Sequence, residues 1–493
     1  MHDSQWPAAK YLTYAFWRSW ILSVYTAPIW SIFAAGEVAA AAFLNMYLFS
    51  TLAYIVVCVL CAVGYRKVAD LLNRRVPMLA LGVVSTVGVL LEYADLGLIG
   101  GEPGALFAAG AILTGVCTAP ISIRAGQIYA HTRPTVAVSN TALSEVASGL
   151  IYFFVALNEP VIFLTVVAAL PFMASLMSCL GKVDIEPRER NAAKDQASRP
   201  IAALARFLVV VFLITFIAYC VRGMFLTENS GQNTRINAIA ISLVVFLSFG
   251  IALICAFSRS FSFTWLYYPI VLLLGVACLL LFTAEGMGKW PLAMVVCIYS
   301  LTSLFNWGML TYAAKSDYWD PIEVFGFGRA AFALGSLAGL IAITWLGLGH
   351  VGPQAMQFLG IGFAAVLVAC VLVIFREKDI VEITNAGWLA SENEKRPDPA
   401  DYEADVLETE PIAMAAAVET RVLTVDEYAD ERNFTRRERD VFSLMLQGRG
   451  SKSIAEKLVI SDNTAKSHIR SIYAKCGVHT RSEFIEATAA LKR

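Results

Sequence analysis

Two groups of residues in this chain have the types and spacing that binding chemistry needs. Near the carboxy terminus, Thr464, Lys466, Ser467, Arg470 and Lys475 fall mostly away from the apolar side of a helical pattern, whose inward positions are Ala465, Ile469, Ile472, Tyr473 and Cys476. A basic, hydroxyl-bearing face of this kind suits a polyanion, because Lys and Arg donate to phosphate oxygens and to guanine O6 and N7. The second group consists of ionisable residues within or beside long apolar runs, namely Arg18, Glu145, Arg222 and Arg329. Burying an ion in hydrocarbon costs roughly 2.5 to 3.5 kcal/mol on insertion scales, so such positions point either to ligand binding or to internal ion pairing. Asn140, Asn306 and Trp307 are candidate polar and aromatic contacts for a central cavity, with interhelical hydrogen bonding and packing as their simpler use. A cationic Arg18, Arg222 or Arg329 facing that cavity favours an anionic or phenolic small molecule over a cation. No phosphate loop, no metal-ligand spacing in the tail and no nucleophile and base pairing rises above chance. The chain therefore does not read as an enzyme, and neither a cofactor nor a metal is expected.

The elements that must position these residues divide between two solvents. Of 493 residues, 58% are hydrophobic and the mean hydropathy is +0.63, which excludes a purely cytosolic enzyme. Residues 1–375 hold 20 Lys/Arg and 17 Asp/Glu, whereas the much shorter remainder holds 18 and 22, so a membrane body carries a water-soluble tail. Twelve apolar stretches are long enough to cross a hydrocarbon layer of about 30 Å. They centre near Leu22, Leu52, Ser85, Leu113, Val146, Ala169, Ile214, Val244, Leu273, Ser300, Gly335 and Val366, with the first and eleventh weakened by Arg18 and Arg329. Cationic loops such as Arg66-Lys67, Arg74-Arg75 and Lys182 to Arg199 follow even-numbered spans, which places both termini in the cytoplasm of a bacterial inner membrane. Met1 to Lys10 is polar and the apolar run after it is long, so the amino terminus is expected to be retained. Nine of the ten cysteines lie in or beside apolar runs and read as small core hydrophobes, Cys58 and Cys61 included despite their CxxC spacing.

Spans one to six and seven to twelve are separated by the polar stretch Lys182 to Arg199. This six-plus-six division resembles the major facilitator superfamily, as does the loop Ala69-Asp70-Leu71-Leu72-Asn73-Arg74-Arg75 after span two. The resemblance implies two related six-helix bundles around a site near the bilayer midplane. The loop departs from the family pattern at Asn73 and Arg66, where glycines are usual, and the equivalent loop at Ser258 to Phe263 lacks an acid. Those departures weaken an inference of active transport.

Residues 376–432 carry 6 basic and 16 acidic residues without apolar periodicity, as a flexible acidic linker does. Its 57 residues span roughly 40 Å as a random coil, enough to reach a duplex below the membrane. In residues 433–493 the balance reverses to 12 basic and 6 acidic. Thr435-Arg436-Arg437-Glu438 has capping-box spacing, and Val441, Phe442, Met445 and Leu446 form an apolar stripe behind it. Gly448 is placed to end that helix, a short helix follows around Ser453 to Leu458, and Ser461 is placed to cap a third. A short helix, a tight turn and a basic amphipathic helix make a helix-turn-helix, whose second helix fits the DNA major groove.

The full string closely resembles the LuxR-type DNA-binding domain over about 60 residues. It runs from Thr435 to Glu438, through Ile454-Ala455-x-x-Leu458-x-Ile460-Ser461-x-x-Thr464-x-Lys466-x-His468, to Lys475-Cys476-Gly477-Val478-x-x-Arg481. By that resemblance, Lys466, Ser467 and Arg470 face base edges, Thr464 and Lys452 contact phosphates, and the last helix, Glu483 to Leu491, pairs two copies on DNA. The resulting expectation is an all-α chain in three parts: a twelve-helix membrane sensor over 1–375, a linker over 376–432 and a four-helix LuxR-type domain over 433–493. Its partners are double-stranded DNA, the lipid bilayer, an unknown small-molecule effector and a second copy on DNA. The competing expectation is a facilitator-type transporter with a secondary gene-regulatory tail.

Overall fold

The computed structural model describes residues 9–26, 36–99, 102–132, 134–156, 158–180, 201–224, 230–257, 263–283, 290–315, 319–345, 353–384, 425–432, 434–446, 451–458, 462–476 and 488. The chain forms two compact units, Met1–Asp398 and Pro399–Arg493.

Twelve long helices make up the described part of the first unit. Six belong to the first half: α1 (Leu12–Thr26), α2 (Gly36–Val63), α4 (Arg75–Ala94), α5 (Ala105–Ala130), α6 (Pro134–Ala156) and α7 (Pro160–Cys179), with the short α3 (Tyr65–Asn73) between α2 and α4. The second half comprises α8 (Ile201–Met224), α9 (Ser230–Phe257), α10 (Thr264–Thr283), α11 (Trp290–Lys315), α12 (Pro321–Thr344) and α13 (Pro353–Ala369). Each apolar centre read from the sequence falls inside one of these twelve. Ten, among the described residues, are both long and apolar enough to cross a membrane, while α1 has 15 residues and the apolar part of α10 is the shorter run Thr264–Leu280. Most are apolar on all sides, as helices facing either lipid or other helices must be. α12 begins with a full capping box: Asp320 Oδ1 accepts from the Ile322 N–H at 2.8 Å, Glu323 Oε2 accepts from the Asp320 N–H at 3.1 Å, and Pro321 takes the first helical position.

The packing pairs reveal an internal repeat. In the first half α1 packs on α6, α4 on α5 and α7, and α2 on α5; in the second, α8 packs on α12, α10 on α11 and α13, and α9 on α11. Exchanging the halves carries one set onto the other. The halves meet where α2 packs on α12 and α6 on α9, and those two pairs also interchange under the same operation. Gly326 makes one of these junctions close, since a Cβ there would lie 2.7 Å from the Cys58 carbonyl oxygen and 2.8 Å from Ala62 Cβ. α11 is the most enclosed helix, with 89% of its apolar window buried, and α13 the least, with 17%. Asn306 and Trp307 therefore sit on an interior helix.

α3 is amphipathic, burying Tyr65, Ala69 and Leu72, and the exposed Asp70 accepts from Arg74 Nη2 at 2.7 Å one turn on. Asn73 Oδ1 accepts from Arg124 Nη1 at 2.8 Å, so the residue that departs from the facilitator pattern is tied to α5. All ten cysteines are free thiols, and Cys58 and Cys61 are both buried among apolar neighbours.

Two described helices fall inside the stretch expected as linker. α14, residues 377–384, returns to the bundle core through Ile380 and Ile383, and its buried Asp379 forms an ion pair with Arg206 of α8. α15 (Val425–Glu431) packs with the second unit, burying Tyr428 and Ala429. The rest of the acidic stretch, residues 385–424, lies outside the described residues.

In the second unit, α16 (Arg436–Leu446), α17 (Ser451–Leu458) and α18 (Asp462–Cys476) enclose one apolar core. Val441, Phe442 and Met445 from the expected stripe are buried, with Leu446 packed against them. From α18, Ile472 and Cys476 are buried and Ile469 and Tyr473 pack at the edge. The side chain of Ala465, and all of Gly448, Ser461 and residues 483–487, lie outside the described residues.

Candidate functional site

The bundle centre is built from aromatic side chains around buried charge. α1 carries Tyr14, Trp17 and Trp20 at helical spacing, so all three project to one side, and Arg18 stands beside them. Arg18 is 2% exposed and Glu145 of α6 is 2% exposed. The Arg18 Nε donates to Glu145 Oε1 at 2.8 Å, its Nη2 donates to Ser300 Oγ of α11 at 3.1 Å, and the Tyr14 hydroxyl donates to the same Glu145 oxygen at 3.1 Å. A buried ion pair of this kind survives desolvation because both partners keep directed hydrogen bonds. It is the internal pairing that the sequence left open for Glu145, and Arg18 reaches no aqueous edge.

Arg329, on α12, is placed differently. It is 5% exposed, and its Nε donates to the Tyr54 hydroxyl of α2 at 3.3 Å; that hydroxyl also bonds Ser122 Oγ of α5 at 2.8 Å. Its guanidinium carbon lies 4.8 Å from the Trp17 ring centre, 4.9 Å from Phe332 and 5.8 Å from Trp307. These rings attract the cation through their negative faces. Among the described residues its Nη1 has no acceptor.

Arg329 lines a cavity between the halves, together with Trp17 and Trp20 of α1, Tyr47 and Tyr54 of α2, Thr118 of α5 and Tyr299 of α11. About 40 Å³ of it admits the centre of a water-sized sphere. A single water needs roughly 10 to 15 Å³ by this measure, so the space holds a few waters and is far smaller than an ordinary ligand pocket of about 300 Å³ or more. Among the described residues, no Asp or Glu lines it.

The other sequence-derived candidates lie around this centre rather than in its wall. Arg222 is buried and donates to the Tyr25 carbonyl, with the Tyr219 ring 5.4 Å away and the Phe43 ring 5.9 Å away. Trp307 is fully buried, 4.2 Å from the Tyr14 ring and 4.9 Å from Phe325, and its indole N–H has no acceptor among the described residues. Asn306 is fully buried, and neither amide atom has a partner among the described residues. Asn140 is half-buried, and its backbone carbonyl accepts from Ser144 at 2.8 Å. Sequence reasoning passed over Trp17, Trp20, Tyr54 and Tyr299. The one local signal was the three-residue spacing of aromatics on α1.

In the second unit, Glu438 ties α16 to α18. The Thr435 N–H donates to Glu438 Oε2 at 2.8 Å and the Glu438 N–H donates to Thr435 Oγ1 at 3.3 Å, completing the expected capping box. The same carboxylate accepts from Ser471 and, at 2.7 Å, from Lys475 Nζ, both on α18. Burial pushes its pKa up, but the hydrogen bonds from Lys475, Ser471 and Thr435 outweigh that and hold it at about 2. Tyr428 stacks on Phe442 with ring centres 5.9 Å apart, and Phe434 meets the same ring edge-on at 5.0 Å. Thr464 is exposed on α18. Lys466, Ser467 and Arg470 lie on α18 and Lys452 on α17, while the placement of their side chains is outside the described part.

The bundle topology and the three-helix core define a multi-pass membrane protein with a body of two six-helix halves and a helix-turn-helix module. A family model for bacterial regulatory proteins of the luxR family matches residues 432–488. The spore germination protein GerE of Bacillus subtilis (strain 168) is 39% identical over 59 residues, or 12% of this chain and 80% of that protein. Through its carboxy-terminal module, the chain belongs to the luxR family of bacterial regulatory proteins. The body is similar in structure to the human organic anion transporter MFSD10, with a TM-score of 0.51 and 14% identity over 73% of this chain and 97% of that one. It is also similar to a bacterial homologue of the iron transporter ferroportin in an outward-facing state, with a TM-score of 0.50 and 12% identity over 76% and 98%. At these identities the likeness shows the fold alone.

Proposed function

We propose that the chain is a one-component transcription regulator of the bacterial cytoplasmic membrane, with both termini in the cytoplasm. The bundle senses a small molecule, and the luxR-family module binds operator DNA. The observation that carries this reading is the union, in one chain, of a luxR-family module with a bundle whose interior holds a buried cation short of one acceptor. In this reading Lys466, Ser467 and Arg470 read base edges, Thr464 and Lys452 hold phosphates, and two copies pair on DNA. The family resemblance and the chemistry of Lys and Arg toward guanine support those roles. An effector shifts the balance between two arrangements of the halves to the extent that it binds one of them better. The small cavity supports this, since a ligand larger than a few waters requires an expanded arrangement.

A transporter with a secondary regulatory tail is the second reading, favoured by the likeness to transporter structures. The deciding experiment measures transcription and solute flux in the same cells, with and without the tail. Transcription that responds to an effector in the absence of flux supports the receptor. Flux that persists after deletion of residues 425–493 supports the transporter.

A further inference from the structure

Resting on the sensor reading, we infer that the cavity at Arg329 takes a flat aromatic monocarboxylate, whose carboxylate pairs with the free edge of the Arg329 guanidinium. The buried charges favour an anion. Arg18 is neutralised by Glu145 at 2.8 Å, whereas Arg329 has a tyrosine hydroxyl and three ring faces as its partners. Ring faces attract a cation but accept no in-plane N–H bond, so Nη1 is left as a buried donor without an acceptor among the described residues. A carboxylate supplies both the missing charge and the missing acceptor in the planar geometry that guanidinium prefers. A cationic ligand meets the opposite situation, because no described carboxylate lines the cavity.

The walls specify the rest of the ligand. Trp17, Trp20, Tyr25, Tyr47, Tyr299 and Phe332 surround the space and offer faces and edges to a flat ring. α1 and α2 of the first half and α11 and α12 of the second contribute those residues, so a ring seated there touches both halves. The present 40 Å³ has no room for one. Binding therefore displaces aromatic side chains from both halves, which couples occupancy to the arrangement of the bundle.

The test uses the full-length protein in lipid nanodiscs and equilibrium dialysis with radiolabelled benzoate and 3-phenylpropionate, with benzamide and 3-phenylpropionamide as neutral competitors. The expected result is saturable binding of at least one acid, displaced by its own amide only at a concentration about tenfold higher or more. Arg329→Gln lowers the affinity for the acid about tenfold or more, and Arg329→Lys, which keeps the charge, retains the preference for acid over amide. If Arg329→Gln fails to fold by thermal unfolding, the Arg329→Lys ratio decides. The assignment is overturned if neither acid saturates below about 10 mM, if amides bind as well as acids, or if Arg329→Gln binds like the parent. An acid that binds through Arg329 yet leaves chromosomal occupancy of the protein unchanged upholds the ligand class and overturns the sensor reading. Occupancy that responds to neutral aromatics alone does the reverse.

Discussion

Glu438 caps its own helix and also accepts the Lys475 ammonium at 2.7 Å from the far end of α18. One carboxylate thus fixes the start of α16 and the end of α18, the helix on which Lys466, Ser467 and Arg470 lie. Because its folded pKa of about 2 lies below that of an unfolded glutamate, its contribution is complete above about pH 4.5 and is lost as the pH falls toward 2. With solvent screening at the partly exposed Lys475 partner allowed for, full loss amounts to about 1 to 2 kcal/mol. Thermal denaturation of residues 399–493 between pH 2 and 6 should show the loss, and Glu438→Gln should be less stable at neutral pH with a flatter profile. An unchanged acid limb in Glu438→Gln rules out this carboxylate as its source.

The Arg18–Glu145 pair makes a prediction of opposite character. Removing one partner by Glu145→Gln leaves a buried guanidinium without its counter-charge, at a cost of about 3 to 5 kcal/mol. Replacing both by Met should recover most of that loss, since no ion then remains buried. Thermal unfolding of the detergent-solubilised protein distinguishes the two, and equal destabilisation by single and double variants contradicts the pairing.

Gly326 predicts a packing effect between halves. In Gly326→Val the new Cβ meets the Cys58 carbonyl at 2.7 Å, so α2 and α12 must separate or strain, at about 1 to 3 kcal/mol. Cys58, buried in the parent, should then react faster with a maleimide when mapped by mass spectrometry. Unaltered Cys58 reactivity together with unaltered unfolding contradicts the close junction.

How far these features were legible depended on their reach along the chain. The twelve centres and the capping box at Thr435 to Glu438 are local patterns of hydropathy and spacing, and each falls where the sequence places it. The Lys475 bond is not local: it joins positions 37 apart, and nothing in the spacing of Glu438 announces it. The Arg329 environment is still less accessible to sequence, because Trp17, Tyr54, Trp307 and Phe332 come from four helices and meet only through the two-half packing. Hydropathy did single out Arg329 as an ion in an apolar run, but gave no means to separate it from Arg18, whose neutralising Glu145 lies 127 residues away. The acidic stretch read as a uniform linker for the same reason. Ile380 and Ile383 carry no periodicity over so short a helix, and their burial is set by the bundle they join.

The base-reading assignment predicts that Lys466→Ala and Arg470→Ala each weaken specific binding by about 1 to 3 kcal/mol, while Lys452→Ala lowers affinity for all duplexes and flattens the salt dependence. The most direct test maps chromosomal occupancy of the full-length, membrane-embedded protein beside its Lys466→Ala, Arg470→Ala variant. Discrete sites in the parent that vanish in the variant are the predicted result. Identical maps, or a parent with no sites at all, contradict the account.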